Sequence, residues 1–300
     1  MVPITRILCP IDFSEASRHA LDHAVAIAQW YDATLIGMHV FNPTYAPVGG
    51  IDLPEDGGTM FASPMASSRL QLQLTDAFAA ARAAGVPVEL FIEEGGPTGQ
   101  ILGGVARHRA DLIVMGTHGV TGFERLILGS VTEKVARKAG CPVLTVPPRA
   151  HATSRLPFRR ILCPIDFSPP SAAALERALS LAQECEAELL LLHVLEWPIG
   201  HEPPPLPAFN VPEYRIYREK DAAAELEKMV PVSVRDWCQP STHLAHGKPY
   251  EQVLAFAGDH AVDLIVLGVH GRSVLDVAVF GSTTNQVIRA ATCPVLTTRP

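Results

Sequence analysis

The chain has 300 residues, 48% of them hydrophobic and 18% charged, with a formal net charge of −7. Such a composition fits a globular protein of about two domains and excludes a disordered chain. With no Lys/Arg run, it argues against a nucleic-acid or acidic-membrane surface, because those partners need clustered positive charge to displace counterions. No stretch approaches the roughly 20 apolar residues of a membrane span. The start, Met1-Val2-Pro3-Ile4-Thr5-Arg6, lacks the long apolar region of a signal peptide. The expectation is a cytoplasmic protein whose partners include neither nucleic acid nor membrane.

In chain order, residues 4–9 read as a short apolar strand, and Ser14 can cap a helix that runs to about Tyr31 with apolar positions at Ala20, Leu21, Ala24 and Ala28. Residues 34–41 are the next strand. A Pro/Gly-rich loop over 42–65 leads to a helix over about 67–84, stopped by Gly85, and then to a strand over 88–92. Gly95-Gly96-Pro97 turns into a helix ending near His108, and Asp111-Leu112-Ile113-Val114-Met115 is a fourth strand. A helix from Ser130 to about Lys138, closed by Gly140, precedes a fifth strand over 142–146.

The second half repeats the first. Ile7-Leu8-Cys9-Pro10-Ile11-Asp12-Phe13-Ser14 returns as Ile161-Leu162-Cys163-Pro164-Ile165-Asp166-Phe167-Ser168, and His39-Val40 returns as His193-Val194. Pro97, Asp111, Gly116, Gly129 and Cys141 return as Pro249, Asp263, Gly268, Gly281 and Cys293. The reading is two domains, 1–147 and 159–300, joined by a linker over 148–158. Continuously apolar strands separated by helices predict an α/β fold with a parallel sheet covered on both faces. The third strand of the second half, near His243, is poorly marked. The loops over 42–65 and 196–211 exceed ordinary connections and fit lids, partner surfaces or disorder. Four of the six cysteines precede proline at the edge of an apolar run, which reads as small buried residues and not as a disulfide framework.

The candidate chemistry sits in a glycine-spaced stretch present twice. Met115-Gly116-Thr117-His118-Gly119 is followed after nine residues by Gly129-Ser130-Val131-Thr132; Leu267-Gly268-Val269-His270-Gly271 is followed likewise by Gly281-Ser282-Thr283-Thr284. Glycines between strand and helix allow positive φ and close approach to a ligand, and the helix start offers N–H groups to an anion. Ser130 with Glu133 also reads as a capping box, a structural role compatible with phosphate contact. In parallel sheets ligands bind outside the carboxyl ends of the strands. Residues 10–14 after strand one, Val40 after strand two and the glycine stretch after strand four converge there. Asp12 and Asp166 read either as turn carboxylates or as acceptors for sugar hydroxyls. His39 and His193 fit strand packing, and His118 fits either phosphate or loop carbonyls. No zinc-ligand spacing, P-loop, nucleophile elbow or identifiable general base is present, so neither catalytic residues nor a protein metal site are assigned.

Together, Gly-x2-Gly-x9-Gly-[Ser/Thr], Pro-x-Asp-x-Ser after strand one, His-Val on strand two, Asp-Leu-Ile-Val before the glycines and Cys-Pro-Val-Leu at the last strand resemble the universal stress protein family, as a tandem two-domain member. The resemblance implies five-stranded parallel sheets in the order 3-2-1-4-5. It implies adenine near Val40, ribose on Asp12 and ATP phosphates on Gly116, Gly119, Gly129, Ser130 and Thr132. The second site carries over as Val194, Asp166, Gly268, Gly271, Gly281, Ser282 and Thr284. Pro10, Met115 and Val131, with Pro164, Leu267 and Thr283, complete the candidate lining. Magnesium could accompany ATP. The halves are expected to pair as an intramolecular pseudo-dimer, with a homodimer of such chains plausible.

Where the family often has arginine after the second glycine and glycine two positions later, the first copy has Val120 and Gly122, the second Arg272 and Val274. Glu124 and Asp276 also differ, so the first loop keeps the fuller pattern. The function implied is ATP binding in a stress response, with nucleotide-dependent conformation or association and at most weak ATP hydrolysis. A slow ATPase or phosphoryl-transfer enzyme is one alternative. The other is an interaction scaffold with vestigial pockets, using the Pro-rich loop around Pro203.

Overall fold

The computed structural model describes residues 4–41, 64–118, 128–148, 150, 157–196, 211–232, 234, 238, 240–269 and 281–299. The long loops, Gly119, Val120, Gly122, Glu124, His270, Gly271, Arg272, Val274, Asp276 and most of the linker lie outside the described residues. The chain divides into two compact units, with the boundary between Pro148 and Arg149.

The first unit contains β1 (Arg6–Pro10), α1 (Glu15–Tyr31), β2 (Thr34–Phe41), α2 (Pro64–Ala77), α3 (Ala79–Ala83), β3 (Val88–Glu94), α4 (Pro97–His108), β4 (Leu112–Gly116), α5 (Ser130–Lys138) and β5 (Val143–Val146). Its strands run parallel in the order β3-β2-β1-β4-β5. The second contains β6 (Arg160–Pro164), α6 (Pro169–Cys185), β7 (Glu188–Leu195), α7 (Val211–Lys228), β8 (Ser241–His246), α8 (Pro249–Asp259), β9 (Leu264–Gly268), α9 (Ser282–Ala290) and β10 (Val295–Thr298). Its order, β8-β7-β6-β9-β10, is also parallel throughout. Both match the expected 3-2-1-4-5.

The central strands are apolar on both faces because helices cover both. Neighbouring residues of β2 show it: a Cβ on Gly37 would strike Phe78, while Met38 on the opposite face reaches Gly104 of α4. Ile7, Leu8, Cys9, Leu35, Ile36 and Ile113 are fully buried, as are Ile161, Leu162, Cys163, Leu189, Leu191 and Ile265 in the second unit. β8 is half-buried along most of its length, so its polar Ser-Thr-His sequence is that of an edge strand.

Asp111 fixes the amino end of the first sheet. Its Oδ2 accepts from Thr5 N–H and Thr5 Oγ, each at 2.8 Å, tying the start of β1 to that of β4. Asp263 does the same for Arg159 and Arg160, with N–H donors at 2.8 and 3.1 Å. These carboxylates lie at the end of the strands away from the glycine stretch.

The expected helix over 67–84 is two helices broken at Phe78, whose ψ of 8° leaves the helical range. The fully buried Phe78 ring seats against Gly37, and that packing outweighs uninterrupted helix. All six cysteines are free thiols. Burial pushes the Cys9 thiol up to about 12 and Cys141 to about 11, which keeps both protonated and unreactive.

Candidate functional site

At the carboxyl end of β1 the chain leaves the sheet through a tight turn. Ile11 N–H donates to Met38 O at 2.8 Å, a backbone bond to β2. Asp12 Oδ1 then accepts from Ser14 N–H at 3.1 Å and Ser14 Oγ at 2.5 Å. Ser14 Oγ in turn caps α1 by accepting from Ser17 N–H at 3.2 Å, as the sequence predicts. Asp12 is therefore a turn carboxylate, with both of these bonds on Oδ1. Asp166 repeats the arrangement with Ser168 at 3.0 and 2.5 Å, ahead of Pro169 in the first turn of α6.

Between aspartate and serine stands a residue that the sequence did not flag. Phe13 has φ 64° and Phe167 φ 61°, in the left-handed region that a non-glycine residue enters at a cost of about 1–2 kcal/mol. Each ring packs on the strand-two histidine, Phe13 on His39 at 4.6 Å between centroids and Phe167 on His193 at 4.4 Å. The histidines are thus more than filling between strands.

The glycine stretch is held by contacts of its own. A Cβ on Gly116 would lie 2.8 Å from Ala16 O, and one on Gly268 would lie 2.7 Å from Pro170 O, so the first helical turn of α1 or α6 leaves no room for a side chain. The requirement for glycine here is close helix packing. Positive φ, expected from the motif, does not occur at Gly116, Gly129, Gly268 or Gly281; among the described glycines only Gly85, Gly95 and Gly247 have it. Gly129 and Gly281 sit at φ −58° and −55°.

Gly129 is the N-cap of α5, and Ser130 is its first helical residue, with no side-chain cap bond. This corrects the capping box expected at Ser130 and Glu133. The helix starts where it does because two bonds tie it to β4: Gly129 N–H to Thr117 O at 2.9 Å, and Thr132 Oγ to Gly116 O at 2.9 Å. Gly281 likewise caps α9, with Gly281 N–H to Val269 O at 3.1 Å and Thr284 Oγ to Gly268 O at 2.9 Å. The hydroxyl protons of Thr132 and Thr284 are therefore committed within the fold. The first intrahelical bonds are made by Glu133 N–H and Asn285 N–H, so the N–H groups of Ser130, Val131 and Thr132, and of Ser282, Thr283 and Thr284, precede them. A helix start of this kind attracts anions.

The other predicted residues fall around these turns. Pro10 ends β1 and is buried, while Pro164 is half-buried at the end of β6. Met115 and Leu267, each 5% exposed, are the penultimate residues of β4 and β9. Val40 and Val194 are half-buried near the ends of β2 and β7, paired with Glu93 and Ala245. Ser130 and Ser282 are exposed, Val131 and Thr283 half-buried. His118 Nδ1 lies 2.8 Å from Thr117 Oγ. Burial holds its pKa below the usual histidine value. Gly119 and Gly271 lie outside the described residues. Among the described residues, no three His, Cys, Asp or Glu side chains group as a metal site, and no helix is long and apolar enough to cross a membrane.

Comparison with known proteins follows the repeat. The family model described as the universal stress protein family matches residues 3–147 and again 157–299. A universal stress protein of Mycolicibacterium smegmatis is 29% identical over 312 aligned residues, covering 98% of this chain and 97% of its own. One of Methanocaldococcus jannaschii is 38% identical over 141 residues, covering 47% of this chain and 81% of its own. Among solved structures, a universal stress protein from Archaeoglobus fulgidus covers 98% of this chain and 96% of its own, with a TM-score of 0.66 at 23% identity. That last likeness is one of fold.

Proposed function

Because the chain belongs to the universal stress protein family as a tandem two-domain member, we propose that each half binds an adenine nucleotide, ATP, and that occupancy governs conformation or association in a stress response. The observation that carries the reading is the recurrence of one arrangement at the carboxyl end of both sheets. It joins an aspartate turn after strand one, a half-buried valine near the end of strand two, and a helix start after strand four whose first N–H groups precede the intrahelical bonds.

In this reading Asp12 and Asp166, the carboxylates that hold the serine turns, accept ribose hydroxyls. Charge-assisted bonds of that kind contribute about 1.5–3 kcal/mol each. Val40 and Val194 flank the adenine. Phosphates meet the N–H groups that open α5 and α9 and the exposed hydroxyls of Ser130 and Ser282. Thr132 and Thr284 serve through their N–H groups, since their hydroxyls brace the turn. The helix start contributes at most about 2 kcal/mol toward an anion, so the flanking glycine segments with Gly119 and Gly271 must share the grip. Magnesium, if it accompanies ATP, would come with the phosphates. The proposal extends to pairing of the halves as a pseudo-dimer and to a cytoplasmic location.

Titration of the full chain with ATP tests the reading. Wild type is expected to bind up to two equivalents, and Asp12→Ala with Asp166→Ala to weaken binding at least tenfold without changing the fold. Absence of ATP binding by wild-type protein, with no nucleotide carried through purification, would overturn it.

A further inference from the structure

We propose that His39 and His193 are positioning residues for the two aspartates, setting how strongly each site depends on the ribose hydroxyls; the assignment rests on the nucleotide reading above. His39 Nδ1 lies 2.8 Å from Ile11 O, and its ring packs on Phe13 at 4.6 Å. One side chain thus holds the residue before Asp12 and the residue after it. His193 does the same around Asp166, with Nδ1 2.7 Å from Ile165 O and the ring 4.4 Å from Phe167. A carbonyl oxygen only accepts, so Nδ1 carries the proton in both contacts.

Two further facts make this more than strand packing. Phe13 and Phe167 are held at φ 64° and 61°, where an aromatic residue stays only if its surroundings fix it. The contacts also recur within 0.2 Å although the helices that follow begin differently, with Glu15-Ala16 in one half and Pro169-Pro170 in the other. Ser14 alone would aim the carboxylate along the helix cap. The histidine sets the backbone direction at residues 11 and 13, and with it the direction from which the carboxylate meets a ligand.

The test compares ATP with 2′,3′-dideoxy-ATP on the full chain. Wild type is expected to favour ATP at least fivefold. His39→Ala with His193→Ala should bring that ratio close to one while triphosphate binding persists, and His39→Asn with His193→Asn, which keeps an N–H near Nδ1, should restore part of it. Phe13→Gly with Phe167→Gly keeps the turn accessible, because glycine adopts positive φ freely, and should lower the ratio even where the alanine variant fails to fold. A ratio unchanged in the histidine or phenylalanine variants overturns the assignment, as does a wild type that binds both nucleotides equally. A wild type that binds neither overturns the nucleotide reading itself, which is a distinguishable failure.

Discussion

Around the aspartate turns the two halves differ by about 0.1 Å: Ser14 and Ser168 donate to their aspartates at 3.1 and 3.0 Å from nitrogen and at 2.5 Å from oxygen in both. Beneath the glycine stretch they have drifted. In the first half Thr117 is buried beside Val146, whose O accepts its N–H at 3.2 Å, and Thr117 Oγ meets His118 Nδ1. In the second the hydroxyl lies on the other side of that pairing: Val269 stands beside Thr298, and Thr298 Oγ is buried without a hydrogen-bond partner among the described residues. On α1 the buried His23 of the first half corresponds to a half-buried Arg177 on α6. Duplication has kept the turn that faces the proposed ligand and the packing that braces it, while Thr117/Val269 and Val146/Thr298 have exchanged polar and apolar character and His23/Arg177 has changed in burial and charge. A shared feature should therefore respond alike in both halves, and a drifted one in only one.

The largest effect is expected at the shared glycines. Gly116→Val or Gly268→Val forces a side chain into backbone at 2.8 or 2.7 Å, which should cost roughly 3 kcal/mol or more in whichever half carries it, at or beyond the top of the overpacking range. Denaturant unfolding followed by a probe in each half checks that the two losses are equal; a loss under about 1 kcal/mol, the bottom of that range, would show that the helix start can yield.

The next effect is confined to the first half. Burial holds His23 at about 4 against an ordinary 6.5, so the folded state keeps it neutral while the unfolded chain binds the proton. Stability from this group is complete above pH 6.5 and is lost as pH falls toward 4, by about 3 kcal/mol. Urea melts across that range should show the loss in the first half, and His23→Gln should flatten it. The second half, with Arg177 in that place, lacks this component.

Thr132→Val and Thr284→Val each leave a buried glycine carbonyl without its donor, at about 2 kcal/mol. Thermal melts should rank them equal. Thr298→Val, which removes a buried hydroxyl lacking a partner, should be neutral or stabilise by up to about 1 kcal/mol. Thr117→Val, which breaks the contact with His118, should destabilise. That pair of signs tests the exchange directly.

Much of this architecture was legible in the sequence, because strands buried on both faces announce themselves as apolar runs. β2 and α5 fall where the pattern places them, and the sheet order follows from the resemblance. What escaped has local causes. β8 is half-buried at a sheet edge, so its polar composition hid it. The break at Phe78 arises from a contact with Gly37, far away in sequence. At the site, spacing identified the right residues but not always the right reason. Gly116 is glycine because Ala16 O is near, and Thr132 turns its hydroxyl inward to Gly116 O. Phe13 and His39 had only their recurrence to mark them, since nothing in a Phe or His residue announces positive φ or a bond to the carbonyl of residue 11.

The central claim, an adenine nucleotide in each half, is tested most directly by denaturing freshly purified protein and identifying what is released by mass analysis, followed by counting ATP equivalents bound to the emptied chain. Release of an adenine nucleotide, with up to two equivalents rebound by wild type and affinity at the substituted site weakened at least tenfold by Asp12→Ala or Asp166→Ala alone, is the predicted result. A chain that releases none and rebinds none would contradict the account.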